Sequence, residues 1–192
     1  QYIQDGLVAT GHGSVLEHAV VNIAFINVSR VFTHELVRHR AGASYSQTSG
    51  RYVRLGELSF WLPTCIEEDP TLKALFIEAV ENQEATLAKM VEAAGLNDMK
   101  TQADFTKKKI LTSAFRRIVG NGVANNITAS YNHRALRFLL TQRTSRHAEE
   151  EIRLGFNDLF GKLASRYPAI YADAQHVNID GYDEITFGRE KV

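Results

Sequence analysis

The sequence predicts an α+β fold: an antiparallel or mixed sheet with long flanking helices, in a single domain over residues 1–192. Three observations carry that expectation. Strand-like and helix-like stretches are mixed without a regular strand–helix–strand rhythm. Two helical stretches, over about 70–95 and 103–119, are long. No G-x-G-x-x-G follows a strand and no G-x-x-x-x-G-K-[ST] is present, so there is no Rossmann motif and no P-loop.

The elements follow in order. Ala19 to Ser29, rich in Val, Ile and Phe, reads as a strand. Ser29 stands where it can cap a helix from Arg30 to about Arg40. Residues 41–50 are small and polar and read as a loop, and a second strand is expected within Arg51 to Leu62, ended by Pro63. Asp69-Pro70 combines an N-cap with Pro at the first helical position. Leu72, Leu75, Phe76, Ala79, Val80, Leu87, Met90 and Val91 then recur at helical spacing until Gly95. The next helix runs from about Ala103 to Val119, with Ile110, Leu111, Ala114 and Ile118 as its apolar stripe and Gly120-Asn121-Gly122 as its stop. A third strand lies around Val123 to Tyr131, and Asn132 caps a helix starting at His133. The last helix covers about Ala148 to Arg166, with Glu149-Glu150-Glu151 as a solvated acidic first turn, and ends before Pro168.

Composition narrows the function. The chain of 192 residues is 44% hydrophobic and 23% charged, ordinary for a soluble globular protein. Twenty-two basic residues balance 22 acidic ones, which argues against a dedicated nucleic-acid or membrane-surface binder. The basic set is 14 Arg to 8 Lys, and Arg is the side chain of bidentate phosphate and carboxylate recognition. The lone Cys65 excludes an internal disulfide and any multi-cysteine metal site. Its acidic neighbours Glu67-Glu68-Asp69 make it structural rather than reactive. The longest apolar stretch, broken by Asn22 and Asn27, falls far short of the ~20 residues of a membrane span. The start has no signal-peptide pattern, so a cytoplasmic protein is expected. It also lacks Met, so a short N-terminal segment is expected to be missing.

Two blocks invite chemistry. His34 and His39 are five apart, about 140° round a helix, so they cannot grip one zinc as an H-E-x-x-H motif does, and no metal is expected. Arg38-His39-Arg40, with Arg51 and Arg54 beyond, has no acid before Glu57 and is followed by a loop of hydroxyls and glycines. That combination suits an anion. Upstream, in His12-Gly13-Ser14-Val15-Leu16-Glu17-His18, Ser14 and Glu17 have the spacing of a capping box. Two other classes compete for the arginine-rich stretch: a phosphate-binding nucleic-acid module and an inactive nucleotide-binding relative.

Arg38-His39-Arg40, eight residues, then Ser49-Gly50-Arg51-Tyr52 is similar to the signature of the flavin-dependent thymidylate synthases, the thymidylate synthase complementing protein family. His12-Gly13-Ser14 with Glu17-His18 resembles that family's upstream H-x-[ST]-x-x-E-H. Arg116, Asn132-x-Arg134, Arg143, His147-Ala148 and Glu151-Ile152-Arg153 resemble its C-terminal block. Glu35 stands where Gln is frequent, Gly120 where Pro is usual, and Phe138 where His or Asn often contacts the flavin.

The resemblance implies FAD-dependent reductive methylation of dUMP to dTMP, with methylenetetrahydrofolate as carbon donor and NADPH as reductant. It assigns dUMP to Glu35, Arg38, Gln47, Thr48, Ser49, Gly50, Arg51, Arg116 and Arg143, with Arg143 and Ser49 as the catalytic candidates. It assigns FAD to His12, Ser14, Glu17, Arg38, His39, Arg40, Ser46, Gln47, Asn132, Arg134 and His147. It further implies a homotetramer whose active sites are shared between chains, with no nucleic-acid polymer and no membrane as partner.

Overall fold

A computed structural model describes residues 2–49, 58–179 and 181–189. The strands are β1 (Val20–Ser29), β2 (Ala43–Gln47), β3 (Ala124–Asn132), β4 (Ala174–Ile179) and β5 (Tyr182–Phe187). The helices are α1 (Arg30–Leu36), α2 (Thr64–Glu67), α3 (Pro70–Ala93), α4 (Asp104–Phe115), α5 (His133–Thr144) and α6 (Glu150–Arg166). One sheet has the order β1-β3-β2, and β4 pairs with β5 as an antiparallel hairpin running from Ala174 opposite Phe187 to Ile179 opposite Tyr182. The architecture is α+β. The chain divides into two compact units: Gln1–Phe25 with Phe32–Ser46 and Ile127–Val192, and Ile26–Val31 with Gln47–Asn126.

In the first unit the core grows from helical spacing. Leu136, Leu139 and Leu140 bury one face of α5, and Ile152, Phe156, Leu159, Phe160 and Leu163 bury one face of α6. Phe25 packs on Phe32 and Phe156, with ring centroids 5.0 and 5.9 Å apart. Each such side chain contributes about 1.5–3 kcal/mol on burial. Gly155 permits the approach of α6, because a Cβ there would stand 2.8 Å from the Phe32 ring. Asn132 caps α5 by accepting the Ala135 N–H at 2.8 Å. Glu149 caps α6 by accepting the N–H groups of Glu151 and Ile152 at 2.9 and 3.3 Å.

The first turn of α6 corrects one expectation. Glu149 and Glu150 are half-buried and Glu151 is buried, so the acidic run is not a solvated face. Capping makes the difference, since a carboxylate that satisfies orphan N–H groups is worth keeping close to the helix.

Buried Arg137 of α5 closes the C-terminal part of this unit. It donates to the Ile170 carbonyl at 2.7 Å and to both carboxylate oxygens of Asp173 at 2.7 and 2.8 Å. Its guanidinium also lies 4.2 Å over the Phe187 ring. One side chain thus ties α5 to the segment after α6 and to β5.

In the second unit, Asp69 caps α3 by accepting the N–H groups of Thr71 and Leu72 at 2.8 and 3.1 Å. The helix gives way to Gly95, whose φ is +62°. Leu87, Leu96 and Phe115 form the core, with Met90, Val91, Leu111 and Val119 packed against it. Only one ridge of α4, Leu111 and Phe115, is packed. Ile110, Ala114 and Ile118 form the neighbouring ridge and are exposed, as are Leu72 and Leu75 of α3, so the expected apolar stripes are only partly core.

Other boundaries moved. The first helix stops at Leu36, not Arg40: the chain turns at 37–38, and the Leu36 carbonyl meets the Tyr45 hydroxyl instead of a continuing helix. Within the expected 41–50 loop the structure forms β2, because its neighbour β3 supplies the backbone partners that small polar residues cannot advertise. Of the second expected strand, 51–57 lie outside the described residues, and in 58–62 only Phe60 forms an isolated antiparallel bridge, with Val123. Cys65 is exposed on α2, which does not fit a structural role in the core.

The Arg137–Asp173 pair generates a testable expectation. Burial alone pushes the Asp173 carboxyl up, but the hydrogen bonds and charge of Arg137 outweigh it and hold the group below its ordinary value of 3.8. A depressed carboxylate stabilises the fold above its unfolded pKa and loses that contribution as pH falls through the folded one. Arg137→Ala should therefore cost about 3 kcal/mol near neutral pH, read as a lower urea midpoint, and the gap from wild type should narrow below about pH 3.8. An unchanged midpoint at pH 7 would refute the clamp.

Candidate functional site

Several of the expected residues of the first unit gather in two side-chain clusters. The first is built on the end of α5. Arg143, in the last turn, has a side chain only 11% exposed. Its two terminal nitrogens donate to Glu35: one to Oε2 at 2.8 Å and one to the backbone carbonyl at 2.6 Å. Its Nε is buried and has no hydrogen-bond partner among the described residues. The other Glu35 oxygen lies 3.4 Å from the exposed Arg38, so Glu35, Arg38 and Arg143 make one charge cluster.

His39 sits half-buried beside it, edge-on to Phe138 at a centroid distance of 6.2 Å. Burial and then the Arg143 charge lower its pKa, while Glu35 pulls it back up. The net leaves the imidazole neutral at pH 7. Glu149, the cap of α6, is pushed up by burial, against the pull of its two backbone hydrogen bonds.

The turn carrying Arg38 and His39 is tethered from β2. The Tyr45 hydroxyl lies 3.0 Å from the Leu36 carbonyl and also bonds the His39 carbonyl. The fully buried Tyr131 of β3 donates to the same hydroxyl at 3.3 Å. Burial raises both phenols, so both keep their protons at neutral pH.

The second cluster joins the upstream block to the start of α5. Gly13–Glu17 is a 3-10 turn preceded by His12, with no side-chain cap. The capping-box expectation is therefore wrong: Ser14 sits inside the turn and is exposed, and Glu17 instead pairs with Arg134 across the fold. Asn132 meets the loop that follows Arg40. Its N–H donates to the Gly42 carbonyl at 3.1 Å, and a Cβ on Gly42 (φ +67°) would stand 2.6 Å from the Asn132 amide nitrogen. Only glycine fits there.

Arg40, Ser46 and His147 are exposed and join neither cluster through a described contact. Arg143 and His147 do line one cleft of about 450 Å³ with Ser145, Glu184 and Thr186, whose far wall is β5.

The remaining expected residues belong to the second unit. Gln47 and Thr48 are exposed and Ser49 is half-buried, with the Thr48 N–H donating to the Asn126 carbonyl at 2.9 Å. Half-buried Arg116 opens the short turn Arg116–Ile118. Gly50 and Arg51 lie outside the described residues. No group of three or more His, Cys, Asp or Glu among the described residues is arranged to hold a metal ion.

Tyr45, Tyr131, Glu149 and the β5 wall were not anticipated. Tyr45 was signalled only by being the one aromatic in a small polar stretch, and the hairpin by Asp180-Gly181 between apolar runs.

Residues 1–169 match the family described as thymidylate synthase complementing protein. The flavin-dependent thymidylate synthase of Mycobacterium marinum is 32% identical over 179 residues, 93% of this chain and 71% of its own length. That of Mycobacterium avium is 32% identical over 181 residues, covering 94% and 72%. That of Mycolicibacterium gilvum is 36% identical over 169 residues, covering 87% and 66%.

The charges around His39 set a direction for titration. Its imidazole should titrate below the ordinary 6.5 when followed by NMR. Arg143→Met removes a neighbouring cation and should move it up, while Glu35→Gln removes an anion and should move it further down. Opposite or absent shifts would contradict the cluster.

Proposed function

Since the chain belongs to the thymidylate synthase complementing protein family, the flavin-dependent thymidylate synthases, we propose that it methylates dUMP to dTMP. In this proposal the carbon comes from methylenetetrahydrofolate and the reducing equivalents from NADPH. The enzyme works in the cytoplasm, with residues 1–192 acting as one domain. One observation supports it above the others: the Arg143 guanidinium is fixed on Glu35 through both terminal nitrogens and lines the cleft of about 450 Å³. Each terminal nitrogen carries a second N–H beyond the one given to Glu35. A uracil carbonyl has the right chemistry to accept from such a donor.

Arg143 then does two things. It orients the pyrimidine ring, and its fixed charge stabilises negative charge that develops on the ring as the methyl group is completed. Glu35 holds it in place. Arg38, Gln47, Thr48, Ser49, Gly50, Arg51 and Arg116 are the residues proposed for the rest of dUMP, with the arginines on its phosphate dianion. Ser49 contributes its hydroxyl as a hydrogen-bond partner; no His–Asp pair in its local sequence would make it a nucleophile.

The same site suits FAD, which when bound supplies the hydride chemistry that side chains lack. His12, Ser14, Arg38, His39, Arg40, Ser46, Gln47, Arg134 and His147 are proposed to hold it. Several are exposed polar groups with donors to offer an anionic cofactor. Asn132 and Glu17 act one step back: Asn132 is spent on the α5 cap and Glu17 on orienting Arg134. Neutral His39 can donate or accept at either ring nitrogen.

The proposal extends to a homotetramer with shared active sites. The exposed Leu72 and Leu75 of α3, Ile110 of α4 and Ile118 of the turn that follows α4 favour it, since apolar ridges of this kind mark contact surfaces.

The direct test is anaerobic turnover with FAD, dUMP, methylenetetrahydrofolate and NADPH, following dTMP. Protein that neither carries nor takes up FAD, or forms no dTMP, would sink the proposal. Arg51→Ala should cost about 1.5–3 kcal/mol of dUMP binding, a rise of about tenfold to 150-fold in Kd, with FAD affinity changing far less. Unchanged dUMP affinity would overturn the phosphate assignment.

A further inference from the structure

We propose that Tyr45 is a positioning residue of the site: its phenol pins both ends of the turn that presents Arg38 and His39. The need for a pin follows from where α1 stops. A helix end leaves its last carbonyls without intrahelical partners. Here the Leu36 carbonyl receives the His39 N–H at 3.3 Å, a long bond, and the chain then leaves the helix. The Tyr45 hydroxyl reaches both the Leu36 carbonyl, at 3.0 Å, and the His39 carbonyl. A phenol has one proton and two acceptor lone pairs. It therefore shares its proton between the two carbonyls and accepts the Tyr131 proton on its own oxygen.

Chain direction gives this contact its consequence. Between the two pinned carbonyls the backbone carries Val37 and Arg38, and His39 itself holds the second one. Arg38 leans back to Glu35, and His39 is held edge-on to Phe138. Neither side chain can keep its place if the turn unwinds. The two tyrosine rings meet edge to face, with centroids 5.8 Å apart and planes at 80°. That packing needs no hydroxyl, so the ring contact and the tether are separable by chemistry.

The test compares Tyr45→Phe with Tyr131→Phe. Each keeps both rings and deletes one hydroxyl, but only the first deletes the donor to the turn. In the ligand-free protein, amide hydrogen exchange at His39 should speed up at least fivefold in Tyr45→Phe and less than twofold in Tyr131→Phe. For the ligand arm, which rests on the proposed function, the FAD Kd should rise about fivefold to tenfold in Tyr45→Phe, with a shifted flavin absorption band. In Tyr131→Phe it should change less than twofold, although both variants lose comparable thermal stability. Equal effects of the two variants on exchange, or none in Tyr45→Phe, would overturn the tether. A changed exchange rate with unchanged FAD affinity and spectrum would overturn the positioning role. If the wild-type protein takes up no FAD, the proposed function fails, while the exchange comparison still decides the tether.

Discussion

Two hydrogen bonds from one guanidinium organise the first unit's site. Arg143 grips Glu35 by its carboxylate and by its main chain, so the end of α5 is joined to the end of α1 in position and in charge. A carboxylate alone would allow the guanidinium to swivel; adding the carbonyl fixes its plane. With the plane fixed, the third nitrogen has one direction left, and Arg38 and His39 feel a defined field rather than a mobile charge. Low exposure strengthens each of these effects, because solvent screens buried pairs least.

The arginine-rich composition takes on a different meaning in this light. Arg134, Arg137, Arg143 and Arg146 all come from 13 consecutive positions, and each is paired with an acid from elsewhere: Glu17, Asp173, Glu35 and Glu184. Their charges are matched locally. A stretch so matched makes a poor comb for polymeric phosphate, which needs unneutralised cations along a face. It is well suited to holding a few donors at fixed angles.

What the sequence made legible follows the range of the interaction involved. Asp69-Pro70 before α3 and Asn132 before α5 are local devices, and both caps form as expected. The strand from Ala19 and the helix ending at Arg166 are set by composition and periodicity, and their bounds differ from expectation by only one or two residues. The failures come from contacts that reach beyond one helical turn. Glu17 satisfies its local capping pattern on paper yet finds Arg134 117 residues away. The end of α1 depends on a phenol six and nine residues further on, and β2 on pairing with a strand some 80 residues distant. The ordered motif blocks pointed to the residues near the site, but which of them are spent on each other was not visible in any block.

The stretch between Arg40 and Ser49 behaves as a measured spacer. Gly42 is wedged against Asn132 where no side chain fits, and three residues later Tyr45 must face Tyr131. Strand residues alternate faces, so adding or removing one residue between these two points would turn the Tyr45 ring away from its partner. An insertion or deletion inside that three-residue interval would break one contact or the other. The distance in sequence between the cationic triplet and the serine is thereby a mechanical quantity, counted out by the fold in units of one peptide.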